Sequence, residues 1–209
     1  PKDQFPSLAF VEDCIIRNCT AIRGGGASGV RCDRCRFYDN ATPYIGIAAN
    51  SCELYNCLFS GNTTKAYVTI YCMSIRNCTF LGDNGTTDAV YYNNNWTPSN
   101  LCNCAILCRP ITKDTNVFIR CAFDRDRSGG LSDRYLGEGS FRLSADEFKI
   151  DAEGHPCAGS PLVDAAYGWL YEDMSPGDRD LDGSQRVYNA KLDIGAFEYD
   201  WRGDFAKRI

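Results

Sequence analysis

Residues 1–123 of this 209-residue chain carry no helical period of apolar residues. No apolar run reaches the length needed to cross a bilayer. The first absence leaves strands to build the fold, and the second removes any expectation of a membrane-spanning helix. There is no surplus of positive charge either: 22 Lys and Arg stand against 27 Asp and Glu, a net charge of −5. That argues against a nucleic-acid partner, because a phosphate backbone needs a basic footprint. Histidine occurs once, at His155 before Pro156, with no evident Ser or Cys partner in the sequence. A structural role is expected for it. The chain opens Pro1-Lys2-Asp3 with neither an initiator Met nor a signal peptide. The expectation is therefore a mature form or a fragment of a longer protein.

What the chain has instead is cysteine, unevenly placed. Residues 1–123 hold 12 of the 13 Cys, with 11 basic and 9 acidic residues. Residues 124–209 hold one Cys, with 11 basic and 18 acidic residues. This shift places a boundary near Asp124, between a repeat region over 1–123 and a terminal region over 124–209.

Within the first region a phrase of Asn or Arg followed by Cys returns six times, at Asn18-Cys19, Arg34-Cys35, Asn56-Cys57, Asn77-Cys78, Asn103-Cys104 and Arg120-Cys121. The intervals between these Cys are 16, 22, 21, 26 and 17 residues, a period of about 21 with insertions. Two residues before each Asn or Arg lies a residue of one column: Ile16, Cys32, Leu54, Ile75, Leu101 and Phe118. Residues two apart share a face of a strand, so the column is expected to point inward. A second strand-like segment precedes the middle copies, at Ala27, Ile45-Gly-Ile47, Tyr67-Val-Thr-Ile70 and Ala89-Val-Tyr-Tyr92. A repeat this short cannot enclose a core alone, but stacked coils of parallel strands can. The expected fold is all-β, a right-handed parallel β-helix of about five to six coils, with an irregular terminal segment that covers its open end. Leu162, Val163, Ile194, Phe197 and Tyr199 are the expected plugs.

The odd cysteine count excludes a fully paired intrachain framework. Stacked side chains in register reach the disulfide dihedral poorly, and a small buried thiol fits a narrow coil without a bond. The reading is a mostly reduced ladder, with disulfides among Cys102, Cys104, Cys108 and Cys157, or a metal, as alternatives. Asn18, Asn56, Asn77 and Asn103 are expected to form a buried amide ladder that Arg34 and Arg120 interrupt. Six Asn-x-Ser/Thr sequons occur, and the same repeat chemistry is the preferred account of them over glycosylation.

Two family resemblances follow. Gly24-Gly25-Gly26-Ala27, Phe37-Tyr-Asp-Asn40 and Phe59-Ser-Gly-Asn62 resemble the GGA and FxxN repeats of the polymorphic outer-membrane-protein type of bacterial surface β-helix. The order GSPLVDAA, DLDGSQR and DIGAFEY over residues 159–199 resembles the choice-of-anchor region of secreted bacterial β-helix proteins, which reads GSPxIDAG, D-x-DG-x-x-R and DIGAxE. The departure is Ala166, where that pattern has Gly. The resemblance implies a secreted or cell-surface bacterial protein and does not imply an enzyme.

Three groups of residues carry candidate chemistry. Tyr44, Tyr67, Tyr71, Tyr91, Tyr92 and Trp96 lie on or beside successive strands, and an aromatic flank of this kind suits a carbohydrate. Asp178, Asp180 and Asp182 have the alternate spacing of a calcium loop, yet the twelfth position is Asn189, where an EF-hand needs a carboxylate. An acidic turn with Arg186 paired to Asp193, Glu198 or Asp164 is preferred, with calcium the alternative and no other cofactor implied. A lyase or glycosidase needs converging carboxylates, and the predicted strands 44–49, 66–72 and 88–93 hold only Asp88. The expected function is a non-catalytic, adhesin-like or structural β-helix that binds a polysaccharide or a cell-envelope component. A polysaccharide lyase or glycoside hydrolase of the same fold is the alternative.

Overall fold

The computed structural model describes residues 9–23, 25–43, 45–64, 68–71, 74–81, 89–92, 101–112, 118–166, 178–187 and 191–199. Its strands are two to six residues long and stack coil upon coil as a parallel β-helix, every strand pairing being parallel. The first sheet runs through Ala9–Glu12, Val30–Asp33, Glu53–Tyr55, Ser74–Arg76, Leu101–Cys102 and Phe118–Ile119. The second runs through Ile15–Arg17, Arg36–Tyr38, Leu58–Ser60, Thr79–Phe80, Ala105–Ile106, Ala122–Asp124 and Phe141–Leu143. A third holds Ala27–Ser28, Ile45–Asn50, Val68–Tyr71, Ala89–Tyr92 and Arg109–Thr112.

The repeated phrase is the corner between the first two sheets. Arg34, Asn56, Asn77, Asn103 and Arg120 all have φ between 48° and 57°. That left-handed conformation opposes any β-carbon and is best tolerated by Asn, whose short amide bonds locally. The following Cys turns its thiol inward and donates to the carbonyl two residues back, at 3.0 Å for Cys57 to Tyr55 and 3.2 Å for Cys78 to Arg76. The carbonyl of Tyr55 also accepts the corner N–H of Arg34 at 3.1 Å, so both of its lone pairs are used. Cysteine therefore serves the corner as a small buried residue with a weak donor. Cys35, Cys57, Cys78, Cys104 and Cys121 form this column as buried free thiols.

The first copy of the phrase belongs elsewhere. Ile16 pairs with Phe37, not with Cys32, and it is Val11 that stands beside Cys32. Asp13-Cys14 is the first corner, with Asp13 at φ 53° and its N–H on Asp33 O. Asn18-Cys19 instead stacks under Asp39-Asn40, as the bond from Cys19 N to Asn40 Oδ1 shows. Counted from Cys14, the first interval is 21 residues and the short first step of 16 disappears.

Inside, Phe37, Phe59 and Phe80 stack ring on ring, with centroids 4.7 and 4.9 Å apart and planes within 13°. Each such pair adds about 1 kcal/mol beyond its buried area. The corner amides of Asn56, Asn77 and Asn103 are buried as expected, and a second buried amide ladder lies at the end of the FxxN phrase, where Asn40 and Asn62 are 0% and 3% exposed. The corner ladder is partial, running from Asn103 to Asn77 at 3.1 Å. Asn56 instead reaches Asp33 at 2.9 Å. Arg34 keeps the corner geometry and turns outward to Glu12, Asp13 and Asp33.

The terminal region covers the end of the coil as expected, but not with the plugs expected for it. Leu131, with Tyr135 and Leu136 packed behind it, closes the last coil. Leu162, Ile194 and Phe197 lie along the outer face of the second sheet, whereas Val163 and Tyr199 are only half-buried and join no apolar cluster among the described residues. Leu162 and Ile194 pack on Ala105 and Ala122 with Phe148, and Phe197 packs with Leu181 and Ala196 on Leu58. The reason is the sheet's own alternation: inward Phe and Ile alternate with small or apolar residues facing out, and that outer face needs a cover. Gly195, at φ 111°, makes the close approach, since a β-carbon there would come within 2.7 Å of Thr79 Oγ1. Its N–H donates to Asn103 O at 2.9 Å, and the next N–H, of Ala196, reaches Thr79 Oγ1 at 2.9 Å.

Candidate functional site

Of the aromatic residues expected on one flank, Tyr44, Tyr67 and Trp96 lie outside the described residues. Tyr71, Tyr91 and Tyr92 are placed by backbone on the third sheet, Tyr91 in register with Ile111 and Tyr92 with Thr112. The pairing of Ile70 with Val90 sets Tyr71 beside Tyr91 on neighbouring strands.

A different aromatic stripe stands on the outer face of the first sheet. Along these strands Val11, Cys32, Leu54 and Ile75 point inward, so the residues on either side of each point out. The outward positions bring together Phe10, Arg31, Tyr55 and Arg76. The Arg31 guanidinium carbon lies 4.4 Å from the Tyr55 ring centre and 5.5 Å from that of Phe10. That of Arg76 lies 6.0 Å from Tyr55. Cations and rings thus alternate across four adjacent strands, each contact within cation–π range. In both arginines only Nε is buried without a partner. Neither side chain makes a hydrogen bond or ion pair among the described residues, so the Nη ends stay unpaired at the surface. Three of the nearby acids are matched by another cation. Glu12, Asp13 and Asp33 face Arg34, while Glu53, beside Arg31 in register, reaches neither stripe cation. The sequence signal for this stripe is divided between two outward positions, the residue before the inward column for Phe10 and Arg31 and the residue after it for Tyr55 and Arg76.

The terminal acids separate into two roles. Asp180 is 1% exposed, and its carboxylate accepts the backbone N–H groups of Asp182, Ser184 and Glu198 at 2.7 to 3.0 Å. Asp182 turns outward to Arg36 at 2.5 Å and to His155 Nε2 at 2.7 Å. Asp178 contributes its carbonyl to Arg186 N at 3.0 Å. The three do not share one centre, and among the described residues no three His, Cys, Asp or Glu come together as a metal-binding group.

His155 is held on both sides, by Asp182 at Nε2 and by Asp151 at Nδ1, 2.9 Å away, with the Phe197 ring 4.0 Å from its centre. Burial works against its charged form, but the bonds to Asp182 and Asp151 outweigh it and raise its pKa. Both ring nitrogens are engaged, so neither is left to move a substrate proton. What the arrangement does is pin the terminal region to Arg36 of the second sheet.

Behind it, the DIGA motif closes on Arg186, which is 0% exposed. Nε of Arg186 lies 3.1 Å from Glu198 without hydrogen-bond alignment, and Nη2 donates to the carbonyls of Asp193 and Gly195. Asp193 accepts the N–H groups of Asp164 and Tyr199 at 2.7 and 2.6 Å. Burial raises the pKa of Asp180 and Asp193 and pushes Glu198 up to about 8. The three similar motifs thus form one knot around a buried cation.

The fold and these sites define a parallel β-solenoid whose terminal knot docks on its side. Comparison with family models, with curated proteins and with solved structures found no match for this chain.

Proposed function

We propose that this chain is a non-catalytic, adhesin-like or structural β-helix of the bacterial surface or secreted fraction that holds a polysaccharide along one flank. The observation that carries the reading is the stripe of Phe10, Arg31, Tyr55 and Arg76, two staggered ring–guanidinium pairs on four adjacent strands. A linear polymer laid along the coil axis meets such a row residue after residue. The location rests on the resemblance of the terminal motifs to the choice-of-anchor region.

The alternative, a lyase or glycosidase, needs two carboxylates open to substrate. Asp151 and Asp182 do face each other across His155, but both are bound to that ring and Asp182 also to Arg36. Retention of the protein on insoluble polysaccharides, with parallel assay of reducing and unsaturated ends with and without calcium, tests the proposal. Retention without release supports it. Release of ends that disappears in Asp182→Asn makes the protein an enzyme, and no retention on any polysaccharide removes the flank-binding reading.

A further inference from the structure

We infer that the Arg31–Tyr55–Arg76 stripe selects a polyanionic glycan, one bearing carboxylate or sulfate groups, over a neutral one; this rests on the flank-binding reading above. Sugar rings stack on aromatic faces, and here guanidinium groups lie against the Tyr55 ring and over one side of Phe10, which is otherwise 53% exposed. Arg31 lies between the rings of Phe10 and Tyr55, and Arg76 closes on Tyr55 from the next strand. What the stack turns to solvent is its edges, led by the Nη groups of two arginines that make no ion pair among the described residues. A planar guanidinium fork matches a carboxylate or sulfate in a bidentate contact. Stacking on a ring also fixes the fork before any ligand arrives, which reduces the ordering needed on binding.

The spacing favours sparse charge. Arg31 and Arg76 are two strands apart, about 10 Å along the coil axis, and the whole stripe covers about 14 Å. Acids border it at Glu12, Asp13, Asp33 and Glu53, and the chain as a whole carries a net charge of −5. A duplex with a charge every ~1.7 Å would press phosphates against those acids. A glycan with one anionic group per one or two sugars can meet the two cations and pass between the acids.

The test is affinity electrophoresis of the whole chain in gels containing polygalacturonate, dextran sulfate, neutral dextran or double-stranded DNA, at low and at 0.5 M salt. Wild type is expected to be retarded by one or both polyanionic glycans and released by salt, the two gels telling carboxylate from sulfate. Arg31→Ala with Arg76→Ala should lose at least tenfold in affinity, Arg31→Lys with Arg76→Lys a smaller part, and Arg179→Ala, remote from the stripe, none. Circular dichroism of each variant checks that the fold is kept. Equal retardation by neutral dextran, or undiminished polyanion binding by the folded alanine variant, overturns the inference while leaving the flank-binding reading in place. Preference for DNA also overturns it, and absence of retardation in every glycan gel overturns both.

Discussion

Asn62 and Asn40 stand one coil apart, and the Oδ1 of Asn62 accepts both the backbone N–H of Asn40 at 3.1 Å and its Nδ2 at 2.9 Å. The Nδ2 of Asn62 donates in turn to Phe37 O at 2.9 Å and Ser60 O at 3.1 Å. One side chain thus satisfies donors and acceptors in a place water does not reach. Asn62→Leu keeps the volume and removes every bond, leaving buried groups that each cost about 1 to 3 kcal/mol when unpaired. The expected loss is about 3 kcal/mol by urea denaturation. A loss below about 1 kcal/mol would show that the ladder is incidental to stability. The same burial bears on the sequons: Asn40 and Asn62 have no free amide to glycosylate in the folded protein.

Much of the coil was legible in the sequence, because its period, its inward column and its turns are all written in local spacing. The slip at Ile16 shows where that reading loses its hold. Val11 and Ile16 are both apolar and each lies two residues before a residue that precedes Cys, so spacing alone cannot say which one stands beside Cys32. Only pairing between coils decides it. Leu162, Ile194 and Phe197 read as buried plugs and are buried, but their place is not legible, since a side and an end of a solenoid ask for the same residue types. His155 was read as structural with no partner in sight, and its partners Asp151 and Asp182 lie 4 and 27 residues away. The stripe at Arg31, Tyr55 and Arg76 is not legible in the sequence, because mixed charged and aromatic residues on an outer face look like ordinary solvated surface.

The thiol column predicts its own silence. All five thiols of the column are 0% exposed, so a reagent cannot reach them in the folded protein. Burial raises the pKa of Cys57, Cys78 and Cys121, whereas hydrogen bonds from neighbouring thiols lower those of Cys35 and Cys104, so closure of the interior and not protonation is what keeps the column silent. In the native protein at pH 8 a disulfide reagent should label Cys14 and Cys157, which are exposed. The five residues of the column should react only after unfolding in denaturant. Rapid native labelling of any of them, located by peptide mass, would contradict a closed interior.

Stability should be greatest on the acid side of neutrality. The folded pKa of His155 is raised above its ordinary 6.5, so its contribution is full below that value and is lost as pH rises through the folded pKa. Glu198, raised from 4.5 to about 8, acts in the same direction over pH 4.5 to 8. Asp151, lowered from 3.8, opposes them only in strong acid, where its contribution is lost as pH falls. Denaturation midpoints should therefore decline from about pH 5 to pH 8.5. His155→Gln should lower the midpoint at pH 5.5 more than at pH 8.5. Solvent near the ring limits that difference to about 1 kcal/mol. A variant whose deficit grows with pH would reverse the sign and refute the pin.

Arg186 is the most exacting element of the knot. It is fully buried among Asp180, Asp193 and Glu198, and its charge holds down acids that burial drives upward. Arg186→Leu leaves those acids without a cation, a change that costs about 3 to 5 kcal/mol in buried pairs. Because the stranded carboxylates can take up protons, the loss should be smaller at pH 5 than at pH 8. Adding Glu198→Leu removes one of the uncompensated charges and should restore about 1 kcal/mol or more at pH 8. A loss equal at both pH values, and unchanged in the double variant, would mean that Arg186 acts through packing and its carbonyl bonds to Asp193 and Gly195 alone. The expected dependence on pH and on Glu198 instead makes charge the reason that Arg186 stands at this buried position.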